Sequence, residues 1–338
     1  MRRLLVDSDG TADDLLALLL AARTPEVDVV AITAVAGAVR VSQATENLLY
    51  GSELAGLNRT AVYSGCEGPL VRPAVPFDAM YGRTGLGTFT PPKPKGRPES
   101  PHAVDAILSL ARHYRRDLHV ICLGPLTNLA AALIQFPRLG EVLGQVYVYG
   151  GTLREGNVTP AAEYNFYADP EAAALVLRSG LPLTLIPWDT ARAALTMRPQ
   201  DIHRIRAGGT REGRFFLDAT RPMAEYCRRT LRLSGSVLGA VVAMAVALDP
   251  AVILEEVQIR LDVEAHGDLT RGAVVSDPAG LSRQPANVRL VRACDGDRIR
   301  EHLFSALGAP AVPEVPSEES PEEATERSPE PSAESPPA

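Results

Sequence analysis

Residues Leu4 to Leu18 read Leu-Leu-Val-Asp-Ser-Asp-Gly-Thr-Ala-Asp-Asp-Leu-Leu-Ala-Leu, so four carboxylates, Asp7, Asp9, Asp13 and Asp14, fall within eight residues. Carboxylates that close repel one another, and a helix N-terminus offsets only part of that repulsion. A bound cation offsets more and holds several of them ionised. Ligands that are all oxygen point to a hard ion, Ca²⁺ or Mg²⁺, rather than zinc. Each aspartate alone has an ordinary use: Asp13 and Asp14 suit the first turn of a helix, and Asp9 suits a turn. Capping does not need four acids, so the set points to a site.

The surrounding pattern says how the acids are held. Leu4 to Val6 is a short apolar strand, Asp7 to Thr11 an acidic turn, and Leu15 to Ala22 an apolar helix. In open α/β sheets, ligands bind in the crevice beyond the carboxyl ends of the strands. Further strand and helix patterns follow in alternation. Val27 to Val35 is a β-rich run ending near Gly37, Ser42 is the expected cap of a helix through Leu54, and Ala61 to Tyr63 is a short strand. A Pro- and Gly-rich stretch from Ser64 to Ser100 is long enough to be a functional loop or to be disordered. Ser100-Pro101 predicts a helix cap and first helical position, with the helix running to Tyr114.

Leu118 to Leu123, Val146 to Tyr149 and Leu183 to Ile186 are apolar strands, while Thr127 and Asp169-Pro170-Glu171 open helices. Apolar strands alternating with helices predict a mostly parallel sheet covered on both faces. The later chain reads as a helical, charge-rich stretch from Ile202 to Leu231 and an apolar helix from Ser236 to Leu248. Strands follow over Val257 to Val263, Ala273 to Val275 and Val288 to Val291, then a closing helix from Asp297 to Leu307. The expectation is an α/β fold with an open, mostly parallel mixed sheet over residues 1–308, and a disordered acidic tail over 309–338 rich in Pro, Glu and Ser.

Composition narrows the partners. The chain has 338 residues, 46% hydrophobic and 22% charged, enough to bury a large core. A net charge of -7, much of it in the tail, argues against nucleic acid, which demands a basic stripe. The longest apolar run, Leu15 to Ala22, is too short to span a bilayer. Cys66, Cys122, Cys227 and Cys294 show no metal or redox spacing, and no signal peptide pattern precedes the first strand. The expectation is a cytoplasmic protein. A phosphatase using the acidic turn as nucleophile would need a phosphate cradle and a lysine partner, and neither stands at a matching strand end.

Other strand ends carry polar clusters: Leu123-Gly124-Pro125-Leu126-Thr127-Asn128, Gly150-Gly151, Gly156-Asn157 through Glu163-Tyr164-Asn165, and Ala168-Asp169-Pro170-Glu171. Together with Val35-Ala36-Gly37, Val62 to Gly65, Gly85-Leu86-Gly87, Thr270-Arg271-Gly272 and Asn287, they make the chain resemble the inosine/uridine-preferring nucleoside hydrolases, the nucleoside N-ribohydrolases, over nearly all of residues 3 to 307.

That resemblance implies hydrolysis of the N-glycosidic bond of ribonucleosides to ribose and free base. A Ca²⁺ ion would activate a water and grip the ribose, and the transition state would be oxocarbenium-like. It implies Asp9 as metal ligand and general base, Asp14 as metal ligand, and the carbonyl of Leu123 as a main-chain ligand. It implies Asp13, Asn157, Glu163 and Asn165 as ribose-binding residues, and Asp7 as a residue that orients the others. It also implies a homodimer or homotetramer.

The chain departs from the family pattern where Ala38 replaces an Asn and Tyr81 a His. Ala191-Arg192 stands for a Thr-His pair, and Gly239-Ala240 for a His-Asp pair that supplies a metal-binding carboxylate and a proton donor. Fewer anionic ligands weaken a Ca²⁺ site. Loss of leaving-group protonation costs about 10²–10⁴-fold in rate. Tyr226, Arg192 and Tyr81 are the nearby substitutes, and His102, His113, His119, His203, His266 and His302 fall on none of these positions. The alternative is an impaired or inactive relative that binds a ribosyl ligand or acts as a scaffold.

Overall fold

The computed structural model describes residues 1–310, so all but the first two residues of the expected tail lie outside the described residues. Nine strands form one sheet: β1 (Arg2–Ser8), β2 (Val27–Ala34), β3 (Ala61–Ser64), β4 (Leu118–Cys122), β5 (Val146–Tyr149), β6 (Leu183–Ile186), β7 (Ile253–Val263), β8 (Val274–Asp277) and β9 (Val288–Cys294). Their order is β3-β2-β1-β4-β5-β6-β9-β7-β8. The pairs from β3 across to β6, and β6 with β9, are parallel, while β7 runs antiparallel to both β9 and β8. The sheet is therefore mixed, as expected. From β1, successive strands turn first toward β3 and later toward β6, so the strand order reverses between β1 and β4 and opens a crevice at their carboxyl ends.

Alternation along β1 sends its side chains to two cores. Leu4 and Val6 join the apolar helix Ala12–Ala22 and the late helix Gly239–Leu248 on one face. Leu5 joins Val120, Cys122 and Val148 on the other, under the helices Ala103–Tyr114, Thr127–Gln135 and Pro170–Arg178. The first and late helices are apolar nearly all round because both are enclosed. Their burial clamps the acidic turn between them and the sheet.

Several boundaries differ from expectation for tertiary reasons. The second helix begins at Val41 after Arg40, so Ser42 lies within its first turn. Ser100 does not cap the next helix. Glu99 N–H donates to the Val62 carbonyl at 2.8 Å, which keeps this segment extended beside β3, and His102 Nδ1 accepts from Val104 N–H to cap Ala103–Tyr114. The expected Ile202 to Leu231 stretch divides into Pro199–Gly208, Arg211–Ala219 and Arg221–Arg229, broken at Gly209 and before Pro222. Ser236 and Val237 stay extended because the Ser236 carbonyl accepts from Met197 N–H at 2.8 Å, so the late helix starts at Gly239.

One ion pair inside this frame carries stability. Arg300, in the helix Gly296–Leu307, pairs with Asp201 at 3.1 Å, with side chains 6% and 5% exposed. Removing one partner of such a pair leaves the other charge uncompensated, at about 3–5 kcal/mol. Arg300→Ala is expected to lower unfolding free energy by about 3 kcal/mol in urea titration, and an unchanged midpoint would show the pair to be neutral.

Candidate active site

Beyond the exits of β1 and β5 stand residues that are each no more than 5% exposed: Asp9, Asp13, Asp14, Asn157, Glu163 and Asn165. Backbone geometry places each one. Asp9 leaves the end of β1, and its Oδ2 accepts from Ala38 N–H at 2.7 Å. A side chain at Gly37 would overlap that oxygen, so the turn after β2 closes over Asp9 only because residue 37 is glycine. Asp14 Oδ2 accepts from the Ser8 hydroxyl at 2.7 Å and from Thr11 N–H at 3.3 Å. Asp13 Oδ1 accepts from the Thr11 hydroxyl at 3.1 Å, and its Oδ2 accepts from Ala240 N–H at 3.2 Å. The late helix thus offers its N-terminal backbone to Asp13 rather than a side chain.

Glu163 caps the short helix Tyr164–Ala168. Its oxygens accept from Asn165, Gly151 and Phe166 N–H groups. Asn157 Oδ1 accepts from Tyr164 N–H at 2.8 Å. Asn165 Nδ2 donates to the Leu123 carbonyl at 2.7 Å and the Tyr149 carbonyl at 3.1 Å, which ties the ends of β4 and β5 together. Asp7 stands apart from the other three aspartates. Its Oδ1 accepts from the Thr33 hydroxyl at 2.6 Å and Asn128 Nδ2 at 2.7 Å, and Asn128 also holds the Ala34 carbonyl and Cys66 N–H. Asp7 therefore braces the end of β2, just before the turn that reaches Asp9.

Burial also shifts the titration of these acids. Burial pushes the carboxyls of Asp7 and Asp9 up to about 6, and those of Asp13 and Glu163 to about 7. Asp14 is raised well above the ordinary carboxylate value, by burial and then by the charge of Asp9 beside it. The Asp9 and Asp14 carboxyls are close neighbours, each acting on the other's titration. Two carboxyls in that contact share a proton or hold a cation.

Among the described residues no three His, Cys, Asp or Glu side chains are gathered to hold a metal. The donors that converge are the Asp9 and Asp14 carboxylates, with the Leu123-Gly124 turn packed against the Asp9 backbone. Two carboxylates are hard-oxygen donors of the kind that suits a divalent cation, which would fill its remaining positions with other oxygens.

Aromatic side chains roof the acids. The Phe77 ring stacks on Tyr164 with centroids 4.8 Å apart and meets Tyr81 and Tyr226 edge-on. Tyr226 donates its hydroxyl to the Asn157 carbonyl, and Tyr164 to the Val75 carbonyl. Burial and the charges of Asp13, Tyr149, Asp9 and Asp14 hold the Tyr81 hydroxyl well above its ordinary value. Of the substitutes expected near the acids, Tyr81 and Tyr226 stand in this roof, whereas Arg192 pairs with Glu155 at 2.8 Å in a partly exposed bridge. Tyr149 is a member of the site that the sequence pattern did not single out. The signal was the alternation Val146-Tyr147-Val148-Tyr149 ending at Gly150-Gly151, which puts a tyrosine at the exit of β5.

The sequence model of the inosine-uridine preferring nucleoside hydrolases matches residues 4–301. The chain belongs to this family. It is 31% identical over 278 residues to the inosine-uridine preferring nucleoside hydrolase of Crithidia fasciculata, covering 82% of this chain and 88% of that protein. It is 33% identical over 308 residues to an uncharacterized protein of Schizosaccharomyces pombe, covering 90% and 99%. Among solved structures, a plant nucleoside hydrolase, PpNRh1, superposes with a TM-score of 0.84 at 27% identity, covering 91% of this chain and 99% of that one. A purine-preferring ribonucleoside hydrolase from Gardnerella vaginalis gives 0.83 at 28% identity, covering 91% and 98%.

Proposed function

We propose that this nucleoside hydrolase family member hydrolyses the N-glycosidic bond of a ribonucleoside, with Asp9 as the base that takes the proton from the attacking water. The observation that carries the reading is the buried set Asp9, Asp13 and Asp14 beyond β1 and Glu163 beyond β5, where the charge of Asp13 reaches Glu163 and all four carboxyls are raised. Buried acids cost folding free energy, and a cluster of them with shifted titration marks a candidate functional site.

Asp9, Asp14 and the Leu123 carbonyl would hold Ca²⁺, which supplies a water acidified by coordination and a grip on the ribose hydroxyls. Ala38 N–H keeps Asp9 Oδ2 in place to receive the proton. Asp13 accepts from a ribose hydroxyl, while Ala240 N–H orients it. Asn157, Glu163 and Asn165 form the wall that takes the 5′- and 3′-hydroxyls. The carboxylates stabilise the positive charge that develops on the sugar, and such electrostatic stabilisation often contributes most to catalysis. Asp7 orients the end of β2 through Asn128.

Two measurements on the purified full chain test this. Metal analysis after dialysis against Ca²⁺ is expected to find bound calcium, and a reducing-sugar assay is expected to find ribose released from at least one common nucleoside. No ribose from any of them would overturn the reading.

A second reading is favoured by one feature. The first turn of the late helix carries no acid and no imidazole, and the Tyr149 ring fills the space beside Gly239. A ribosyl-binding protein without turnover would show calorimetric binding of nucleoside and no ribose. Self-association into a dimer or tetramer and a cytoplasmic location belong to the main reading. The four cysteines are free, as a reducing compartment would keep them, and no described helix is long and apolar enough to cross a membrane.

A further inference from the structure

Beside the edge strand β3 lies a groove of about 720 Å³ whose lining includes Arg59, Lys93, Lys95, Arg97 and Arg211. All five are exposed. Elsewhere arginines meet acids, as Arg72 meets Glu171 at 2.8 Å and Arg204 meets Glu301 at 2.6 Å. Among the described residues none of the five in the groove forms an ion pair. Lys93 and Lys95 are also the only lysines of the chain.

Two acids line the same groove, Glu53 and Glu99. Glu53 Oε1 accepts from the backbone N–H groups of Lys95 and Gly96, the latter at 3.0 Å. That contact anchors the segment carrying Lys93, Lys95 and Arg97 to the helix Val41–Ala55. Glu99 N–H donates to the Val62 carbonyl, which ties the same segment to β3. Five cations against two acids leave the groove positive.

The matching negative charge stands at the end of the chain. Residues 311–338 hold eight glutamates, no aspartate and one arginine, a formal charge of -7. The whole chain also carries -7, so residues 1–310 are formally neutral and the groove is a local excess of positive charge. The described chain ends close to the groove. The Pro310 carbonyl accepts from Arg204 Nε at 2.6 Å, and the Leu307 carbonyl from the Thr210 hydroxyl at 2.6 Å. Thr210 immediately precedes Arg211, which lines the groove. Glu314 is the first acid beyond Pro310, four residues on, and four residues reach up to about 14 Å. Glu318, Glu319, Glu322 and Glu323 follow.

We propose that this basic groove is the docking surface for the chain's own acidic segment from Glu314 to Glu323. Single exposed ion pairs are weak. A tethered segment, however, is present at an effective concentration in the millimolar range, so several weak pairs acting together hold it. An acidic ligand arriving from solution would have to compete with that local concentration. Salt screens exposed pairs and releases the segment.

The two lysines make the contact readable. An equal mixture of unlabelled and isotope-labelled full chain is treated with a carbodiimide, which joins carboxylates to amines in contact, and the products are mapped by mass spectrometry. Lys93 or Lys95 is expected to be joined to glutamates between 314 and 323 within chains of one label. These products are expected to vanish at about 0.5 M NaCl, where the Debye length is roughly 4 Å. Acetylation of both lysines is then timed in the parent and in a full-length variant carrying Glu314→Gln, Glu318→Gln, Glu319→Gln, Glu322→Gln and Glu323→Gln. The variant is expected to react several-fold faster, and added salt to quicken only the parent. Lysine cross-links confined to Glu53 or Glu99, cross-links only between differently labelled chains, or equal acetylation of parent and variant would each overturn the proposal.

Discussion

Asp9→Ala is expected to lower ribose release by at least about 10³-fold while making the metal-free protein more stable. The rate loss combines the missing base, typically about 10²–10⁴-fold, with the loss of one of two carboxylates that would hold the cation. The stability gain has a separate cause. Burial holds the Asp9 carboxyl at about 6 rather than the ordinary 3.8, and at neutral pH that displacement costs about 3 kcal/mol. Alanine removes the cost, and Ala38 N–H loses its acceptor, which returns part of it. Stability lost for function is common at active sites. Single-turnover assays with urea unfolding of the same samples check both halves. A variant as active as the parent would remove Asp9 from the chemistry.

Calcium and pH are expected to act together on folding stability. A carboxyl raised on folding contributes stability that is fully present below its unfolded value and is lost as pH rises through its folded value. For Asp7 and Asp9 the folded value is about 6, and for Asp13 and Glu163 about 7, so the window runs from about 4 to about 7. Metal-free protein should therefore melt at lower temperature at about pH 8 than at about pH 5. Excess Ca²⁺ should offset part of this at the higher pH, where the ligands are ionised. At a hundredfold over Kd it adds about 2.7 kcal/mol, or roughly 5 °C in Tm. At the lower pH protons compete and the increment shrinks. Calorimetric scans with calcium and with chelator measure it, and equal Tm values at the higher pH would count against a cation at Asp9 and Asp14.

Much of this site could be read along the chain because its parts sit at the ends of regular elements. Asp9, Asp13 and Asp14 follow an apolar strand and precede an apolar helix, and that local pattern alone puts them at a strand exit. Asn157, Glu163 and Asn165 follow Gly150-Gly151 in the same way. The boundaries that differ at Ser100 and Ser236 are those where the residues at the helix start lost to pairing elsewhere in the fold. Ser100 is the clearest, since Glu99 binds β3 and delays the helix by two residues.

The chain's own order of residues determined that strands and helices alternate, that the strands are enclosed, and that Asp9, Asp13 and Asp14 gather beyond the first strand. These follow from periodicity and local hydrogen bonding, which act over a few residues. Only the tertiary structure decided how the acids are used. Asp9 is held by Ala38, 29 residues away, and Asp13 by Ala240, 227 residues away. Tyr149 reaches Gly239 only because β5 and the late helix pack face to face. Close packing lets one ring exclude another side chain from the same volume, and no spacing along the sequence records which of the two is there.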